Sequence, residues 1–405
     1  MSAQESKTVL ICFARTGSGH RSAAASISES IAEASGQLRE SHKINVICED
    51  VIAPSSFVHR LLEQTYIFLE QHHRNWLDYF YALIEWLKPN EWEPGYLLCR
   101  KYAQKLLKRT QPDIIVSVHP MINHFLKRAI DETEFGKKPE LIVVLTDPND
   151  QFWSGWACRG ANLTLVPNDL AKSKVVALGL DASKVRIVGM PVSSCFARPC
   201  KQSRADFLLN FNLQPDVLTI CLSAGEAGGG KIEEIYNRLA EVKRKIQVIA
   251  ICGRNVKLIE TIRSLSWQAK FPTVVLPRVD SMNELMNACD LFVTKPGGLT
   301  TFEAIARRLP IAFEMIGGVM PQERGTVSML LSCGVSQVIR RAEDILPIIN
   351  DLKAPGVRDR NPITSEHSLN KTDAANTIAK IIMTEMMGDG CFKNVDGTLS
   401  KSFAQ

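Results

Sequence analysis

The chain has 405 residues, of which 45% are hydrophobic and 22% charged; this length predicts two domains, each with its own core, and the composition excludes a disordered chain, a collagen and a coiled coil. The formal net charge of +5 is unevenly placed, with 17 Lys and Arg against 19 Asp and Glu in residues 1–150 and 31 against 24 in residues 151–405, a bias that suits an anionic ligand and is too weak for nucleic acid. No run reaches the roughly 18 uncharged apolar residues of a spanning helix and the N-terminus lacks a basic-then-apolar signal pattern, so a cytoplasmic protein is expected.

In chain order, short apolar runs at 8–14, 44–51, 113–119, 141–147, 163–167 and 185–189 predict strands. The pattern restarts with 218–224, 246–252, 273–277, 291–294, 311–314 and 335–339. Helical periodicity falls between them, at 20–35, 57–88, 96–109, 121–131, 231–244, 281–289, 299–308 and 322–332, with a last helix near 371–387. Nearly all-apolar strands alternating with helices predict an α/β protein with parallel sheets covered on both faces. The segment 190–203, with two prolines and no period, reads as the interdomain linker. The expected organisation is therefore residues 1–195 as one doubly wound domain with an aromatic helical insertion at 57–109, residues 196–365 as a second, and residues 366–405 as a helix and frayed tail. Ligands belong in the cleft at the carboxyl ends of both sets of strands.

The aromatics are unevenly spread too: ten of 28 lie between Phe57 and Tyr96. The eleven cysteines form no CxxC pair, and Cys12, Cys48, Cys221 and Cys252 sit in apolar runs. They read as reduced core residues rather than as disulfides or a zinc site.

Four loops carry chemistry. The first βα turn, Arg15-Thr16-Gly17-Ser18-Gly19-His20, lacks the third glycine of a dinucleotide fingerprint, since Ser22 stands there. It places His20 at a helix start, where the dipole disfavours the imidazolium and leaves a general base. Gly225, Gly230 and Lys231 match the spacing of a Walker A loop, but Ile232 replaces the hydroxyl that would hold magnesium, so the glycines are read as bringing amides to an anion. In Lys295-Pro296-Gly297-Gly298-Leu299-Thr300-Thr301-Phe302-Glu303, amides at a helix start can hold a diphosphate without a metal, and Glu303, expected in the first turn, can accept from a ribose diol. After the next strand come Pro321-Gln322-Glu323-Arg324-Gly325-Thr326, whose amide and carboxylate suit sugar hydroxyls.

With these residues in hand, the chain resembles the lipid-directed branch of glycosyltransferase family 28, the monogalactosyldiacylglycerol synthases and diacylglycerol glucosyltransferases, from Val9 to Ile339. The resemblance is carried by TGSGHRSAA at 16–24, VHP at 118–120, TDPNDQFW at 146–153, VPND at 166–169, VRIVGMPV at 185–192, SAGEAGGG at 223–230, CGRN at 252–255, SMNELMNACD at 281–290, KPGGLTTFEA at 295–304 and PQERG at 321–325. It implies a GT-B fold, two Rossmann-like domains facing a central cleft, a UDP-sugar donor as substrate, no cofactor, no metal, and anomeric inversion. It further implies His20 as the base, with Asp147 as the alternative, and Gly19 and His119 on the acceptor side. On the donor side it implies Gly225, Glu226, Arg254 and Asn255 beside the nucleotide, Gly297, Gly298, Leu299, Thr300 and Thr301 on the diphosphate, Glu303 on the ribose, and Gln322 with Glu323 on the hexose. Arg278-Val279, Thr326, Ser223 and Pro148 depart from the family pattern, which leaves the uracil contacts and the hexose open.

Other readings are an N-acetylglucosaminyltransferase acting on a polyprenyl-linked sugar, a UDP-sugar epimerase of the same architecture, and a non-catalytic relative. The aromatic segment bears on this choice. Trp76, Tyr79, Phe80 and Trp86 at helical spacing, followed by Arg100, Lys101, Lys105, Lys108 and Arg109, suit an anchor on an anionic membrane surface at its cytosolic face, the alternative being a helical core.

Overall fold

The computed structural model describes residues 5–14, 18–36, 42–52, 54–72, 76–357 and 373–387. The expected turn residues Arg15, Thr16 and Gly17 and the tail after Met387 lie outside them. All twelve apolar runs form strands. The first sheet comprises β1 (Glu5–Phe13), β2 (His42–Asp50), β3 (Ile114–Ser117), β4 (Glu140–Val144), β5 (Leu163–Val166) and β6 (Val185–Ile187), in the order β2-β1-β3-β4-β5-β6. The second comprises β7 (Leu218–Ser223), β8 (Ile246–Ile251), β9 (Thr273–Leu276), β10 (Leu291–Thr294), β11 (Ile311–Glu314) and β12 (Ser336–Ile339), in the order β12-β11-β10-β7-β8-β9. The pairings are parallel throughout.

Both orders reverse once, between β1 and β3 and between β7 and β10. At such a point the loops leaving the two strands diverge to opposite faces and open a crevice. The segments that follow these four strands carry His20, His119, Gly225 and Gly297, so topology alone brings the sequence motifs to two crevices. Strands β3, β7, β8, β10 and β11 are buried along their whole length, which is why they read as unbroken apolar runs. On the edge strand β2 the expectation fails for Cys48, which is exposed because one side of β2 has no neighbour.

The helices of the first half are α1 (Ser18–Ser35), α2 (Phe57–His72), α3 (Leu77–Leu87), α4 (Glu93–Thr110), α5 (Asn123–Glu132) and α6 (Asp169–Ala177). The pattern read as one helix over 57–88 is two, since a single helix of that length would run about 48 Å, well past the sheet. Helix α4 starts earlier than its periodicity suggested because Pro94 fits the first turn, where no amide is needed. The second half contributes α7 (Arg204–Leu209), α8 (Ile232–Arg238), α9 (Val256–Ser266), α10 (Met282–Ala288), α11 (Gly298–Ala306), α12 (Pro321–Ser332), α13 (Ile345–Asn350) and α14 (Ala374–Met387).

Segment 190–203 is held on both sides. Met190, Val192 and Phe196 are buried with the second sheet's core, while Ser193 donates to Glu29 and Arg198 pairs with Glu33 on α1. The chain then returns: α14 packs on α1, with Ile378, Ala379 and Ile382 fully buried beside Val9, Ile11, Ile27 and Ile31 of the first domain. The C-terminal helix thus completes the core of the domain that opens the chain. Ile382→Ala is expected to destabilise that domain by about 2–5 kcal/mol, read as a lower midpoint in urea; an unchanged midpoint would show that α14 is not part of the core.

Candidate functional site

Helix α1 begins at Ser18, so His20 lies in its first turn at the carboxyl edge of the first sheet. Its Nδ1 is 2.7 Å from the Val118 carbonyl oxygen and 3.2 Å from Thr146 Oγ1. A carbonyl can only accept, so Nδ1 carries the proton and Nε2 keeps its lone pair. The ring of His119 stands edge-on at 4.4 Å and that of Trp156 lies at 6.2 Å. Burial lowers the His20 pKa to about 4 and holds His119 well below the ordinary histidine value. The imidazolium is disfavoured as expected, and desolvation by burial is the largest cause. Asp147 follows β4; its Oδ2 accepts from Trp156 Nε1 at 2.7 Å, and burial raises its pKa to about 6.

Across the cleft, α11 starts at Gly298 with Gly297 as its cap. The Thr301 amide already donates to Gly297 O at 3.2 Å and its hydroxyl to the same oxygen at 2.6 Å. The first-turn amides of Gly298, Leu299 and Thr300 have no partner within the helix and remain for an anion. Glu303 therefore lies in the second turn, not the first as expected, and burial raises its pKa to about 7. Gln322 and Glu323 open α12, where the Gln322 Oε1 is buried without a hydrogen-bond partner. The Glu323 carboxylate lies 3.8 Å from the point where a Cβ on Gly297 would stand.

The two sides share one cavity of about 260 Å³. Its walls include Gly19, His20, His119, Thr146 and Asp147 from the first domain, and Gly225, Glu226, Lys295, Gly297 to Thr300, Gln322 and Glu323 from the second. They meet because Gly298 has no side chain: a Cβ there would fall 2.9 Å from Thr146 O. Phe80, with Leu62, Tyr66, Tyr81 and Ile84, closes the cavity from α2 and α3.

Four expected donor residues stand outside this lining. Arg254 is exposed and paired at 3.3 Å with Glu226, which also pairs with Arg21 at 3.3 Å. Asn255 caps α9 and donates to Gly228 O at 2.8 Å, so it holds the glycine loop in place. Thr301 and Glu303 lie on α11 behind the lining. Trp76, Tyr79 and Trp86 are also outside, 65%, 75% and 79% exposed, which excludes the core reading for these three rings. Residues the sequence reading passed over are Thr146, Asn149 and Trp156; the first two stand inside the quoted 146–153 stretch, and nothing in their spacing marks them.

A family model described as monogalactosyldiacylglycerol (MGDG) synthase matches residues 20–192. Monogalactosyldiacylglycerol synthase 2, chloroplastic, of Arabidopsis thaliana is 28% identical over 99% of this chain and 86% of its own length. Monogalactosyldiacylglycerol synthase 3, chloroplastic, of the same plant is 30% identical over 87% of this chain and 75% of its own. The chain belongs to the monogalactosyldiacylglycerol synthase family. Solved structures of similar fold include Acinetobacter baumannii MurG, at a TM-score of 0.54 and 13% identity over 93% of this chain and 99% of that one. Another is the Neisseria meningitidis UDP-GlcNAc 2-epimerase bound to UDP-GlcNAc, at 0.57 and 13% over 93% and 100%. The two facing sheets of this family member are thus the GT-B fold.

The site carries a stability cost with a defined pH dependence. The Asp147 pKa is raised on folding, from 3.8 to about 6, so its burial is unopposed by charge below the lower value and stability falls as pH rises through the upper one. Asp147→Asn, which keeps an acceptor for Trp156, should melt with the wild type near pH 4 and above it at pH 8, by calorimetry at about those two values. A difference independent of pH would remove the buried charge as its origin.

Proposed function

We propose that this enzyme is an inverting, metal-independent transferase that moves a hexose from a UDP-sugar to the hydroxyl of a lipid such as diacylglycerol, working on a membrane surface from its cytosolic side. The observation that carries this reading is the shared cavity, in which a histidine with a free Nε2 faces a helix start with three open amides, under an apolar cover. Its relatives are named for making monogalactosyldiacylglycerol, which favours a diacylglycerol acceptor over a polyprenyl-linked sugar, and a transferase over an epimerase.

In the proposed reaction the acceptor O–H gives its proton to His20 Nε2 while its oxygen attacks the anomeric carbon on the face opposite UDP. The bond from that carbon to the diphosphate oxygen breaks, and UDP leaves with the electron pair. The amides of Gly298 to Thr300 and the Lys295 ammonium lining the cavity stabilise that charge, the work a divalent cation does elsewhere. Purified enzyme should form labelled lipid from diacylglycerol vesicles with one of UDP-galactose, UDP-glucose or UDP-N-acetylglucosamine; no product from any of them sinks the reading. His20→Ala should lower turnover by roughly 10²–10⁴-fold and leave UDP affinity unchanged.

The membrane part rests on the outward faces of α2 and α3, of which α2 is inverted and α3 is apolar on both sides. In α2 the polar His59 and Glu63 and the half-polar Tyr66 face inward, while Phe57, Leu61 and Phe68 face out. In α3, Tyr79, Leu83 and Trp86 form one exposed face. Twelve of the eighteen exposed large apolar side chains among the described residues lie between Phe57 and Leu98. Helices in water place their apolar face inward, so a contiguous outward one marks a surface that another phase covers. Of the basic residues on α4, Arg100 and Arg109 are engaged by Glu132 and Glu49, leaving Lys101, Lys105 and Lys108 exposed for anionic headgroups. The enzyme should float with anionic vesicles and Tyr79→Glu/Trp86→Glu should stay in the aqueous fraction; equal flotation of both would assign the face to something other than a membrane.

A further inference from the structure

Asn149 belongs to the loop that carries Asp147, yet its side chain serves the other domain. It is 1% exposed, and Nδ2 donates at 2.9 Å to Gln322 O and at 2.9 Å to Thr326 Oγ1, while Oδ1 accepts from Gln151 N at 2.7 Å. The fit leaves no room: a Cβ on Gly325 would stand 2.5 Å from Asn149 Oδ1. The glycine of PQERG is thus where α12 lies against this amide. Both acceptors stand in the first two turns of α12, and between them is Glu323. Next to the first acceptor, the Gln322 Oε1 is buried without a hydrogen-bond partner, on a side chain that lines the cleft.

We infer that Asn149 is a positioning residue for the donor hexose. By holding the first turns of α12 against the acceptor domain, it sets Gln322 and Glu323 at the height of the sugar. The hexose site is therefore complete only when the loop that follows β4 is docked. Thr326, a departure from the family pattern, is the other half of this joint: its buried hydroxyl accepts from Asn149 and lies outside the cavity lining. The inference rests on the reading of the cavity as a UDP-hexose site. It extends that reading by assigning a specificity role to a residue of the opposite domain.

The geometry separates hexose from nucleotide. The diphosphate amides are on α11, and Asn149 bonds only to α12 and its own loop, so its loss should be felt by UDP-hexose and not by UDP. Calorimetric titration with UDP, and with whichever of UDP-galactose, UDP-glucose and UDP-N-acetylglucosamine the wild type binds, tests this. Asn149→Ala and the near-isosteric Asn149→Asp, which cannot donate, should bind UDP normally and UDP-hexose roughly 5- to 50-fold more weakly, as for a buried hydrogen bond left unmade. Thr326→Val should do the same in part and Thr326→Ser should not. The double variant Asn149→Ala/Thr326→Val should be no worse than Asn149→Ala, because the two residues share one bond. Parallel loss of UDP and UDP-hexose affinity, or additive effects in the double variant, would overturn the assignment alone. A wild type that binds neither nucleotide overturns the donor reading and this assignment with it.

Discussion

A single close approach governs the site: Gly298 lies so near Thr146 O that a methyl group there would be 2.9 Å away, with Met190 and Pro148 next to it at 3.4 Å. Each sheet on its own would offer a crevice at its own switch point, and neither crevice would hold both a base and an anion site. Because the first turn of α11 touches the loop after β4, the open amides and the half-buried His20 line one cavity. The same loop sends Asp147 to Trp156 and Asn149 to α12, so a segment of four residues touches both walls of the cavity and fixes their separation. Glycine at 298 is therefore a condition for a shared cleft, beyond its usefulness to a phosphate.

The cover of that cleft is apolar where it should be polar. Helix α2 turns His59, Glu63 and Tyr66 inward, α3 buries Leu77, and Trp76, Tyr79 and Trp86 are left in the open. Tyr66 reaches Met320, and Asp78 pairs with Arg324 at 2.7 Å, so the cover is tied to the start of α12. On the proposed membrane docking, a lipid entering through this pair would pass from an apolar outer face to a cavity with polar groups on its walls. That gradient suits a molecule with long chains and one reactive hydroxyl.

Much of the fold was legible because parallel strands buried on both faces must be apolar throughout, and their ends were marked by glycines, prolines and caps. The glycine-bearing helix starts were legible for a related reason: a glycine followed by hydroxyl residues after an apolar run marks the turn from strand to helix. What the sequence could not show is which of those residues spend their side chains on the scaffold. Asn255 and Thr301 look like ligands in a motif, yet one caps a helix and the other bonds its own turn. Glu303 moved to the second turn because the helix begins at Gly298, and helix starts are the least certain part of a periodic pattern. Asn149, Thr146 and Trp156 were invisible as site residues because their partners are between nine and 177 positions away, and only the folded chain brings them together.

The electrostatics of the cleft bear on how the proposed reaction would run. A histidine held at about 4 by burial is a weak base, and on its own it would take a hydroxyl proton poorly. Burial acts on it because nothing charged offsets the desolvation of the imidazolium. A diphosphate brought into the same cavity by the amides of α11 supplies that missing negative charge, and an opposite charge nearby favours the protonated form. Donor binding would thus raise the basicity of His20 just when an acceptor needs it. In the proposed reaction the diphosphate thus gives the transferred proton a stable place to go. On this view the uncharged surroundings that lower the His20 pKa do not oppose its role; they make its strength depend on the donor.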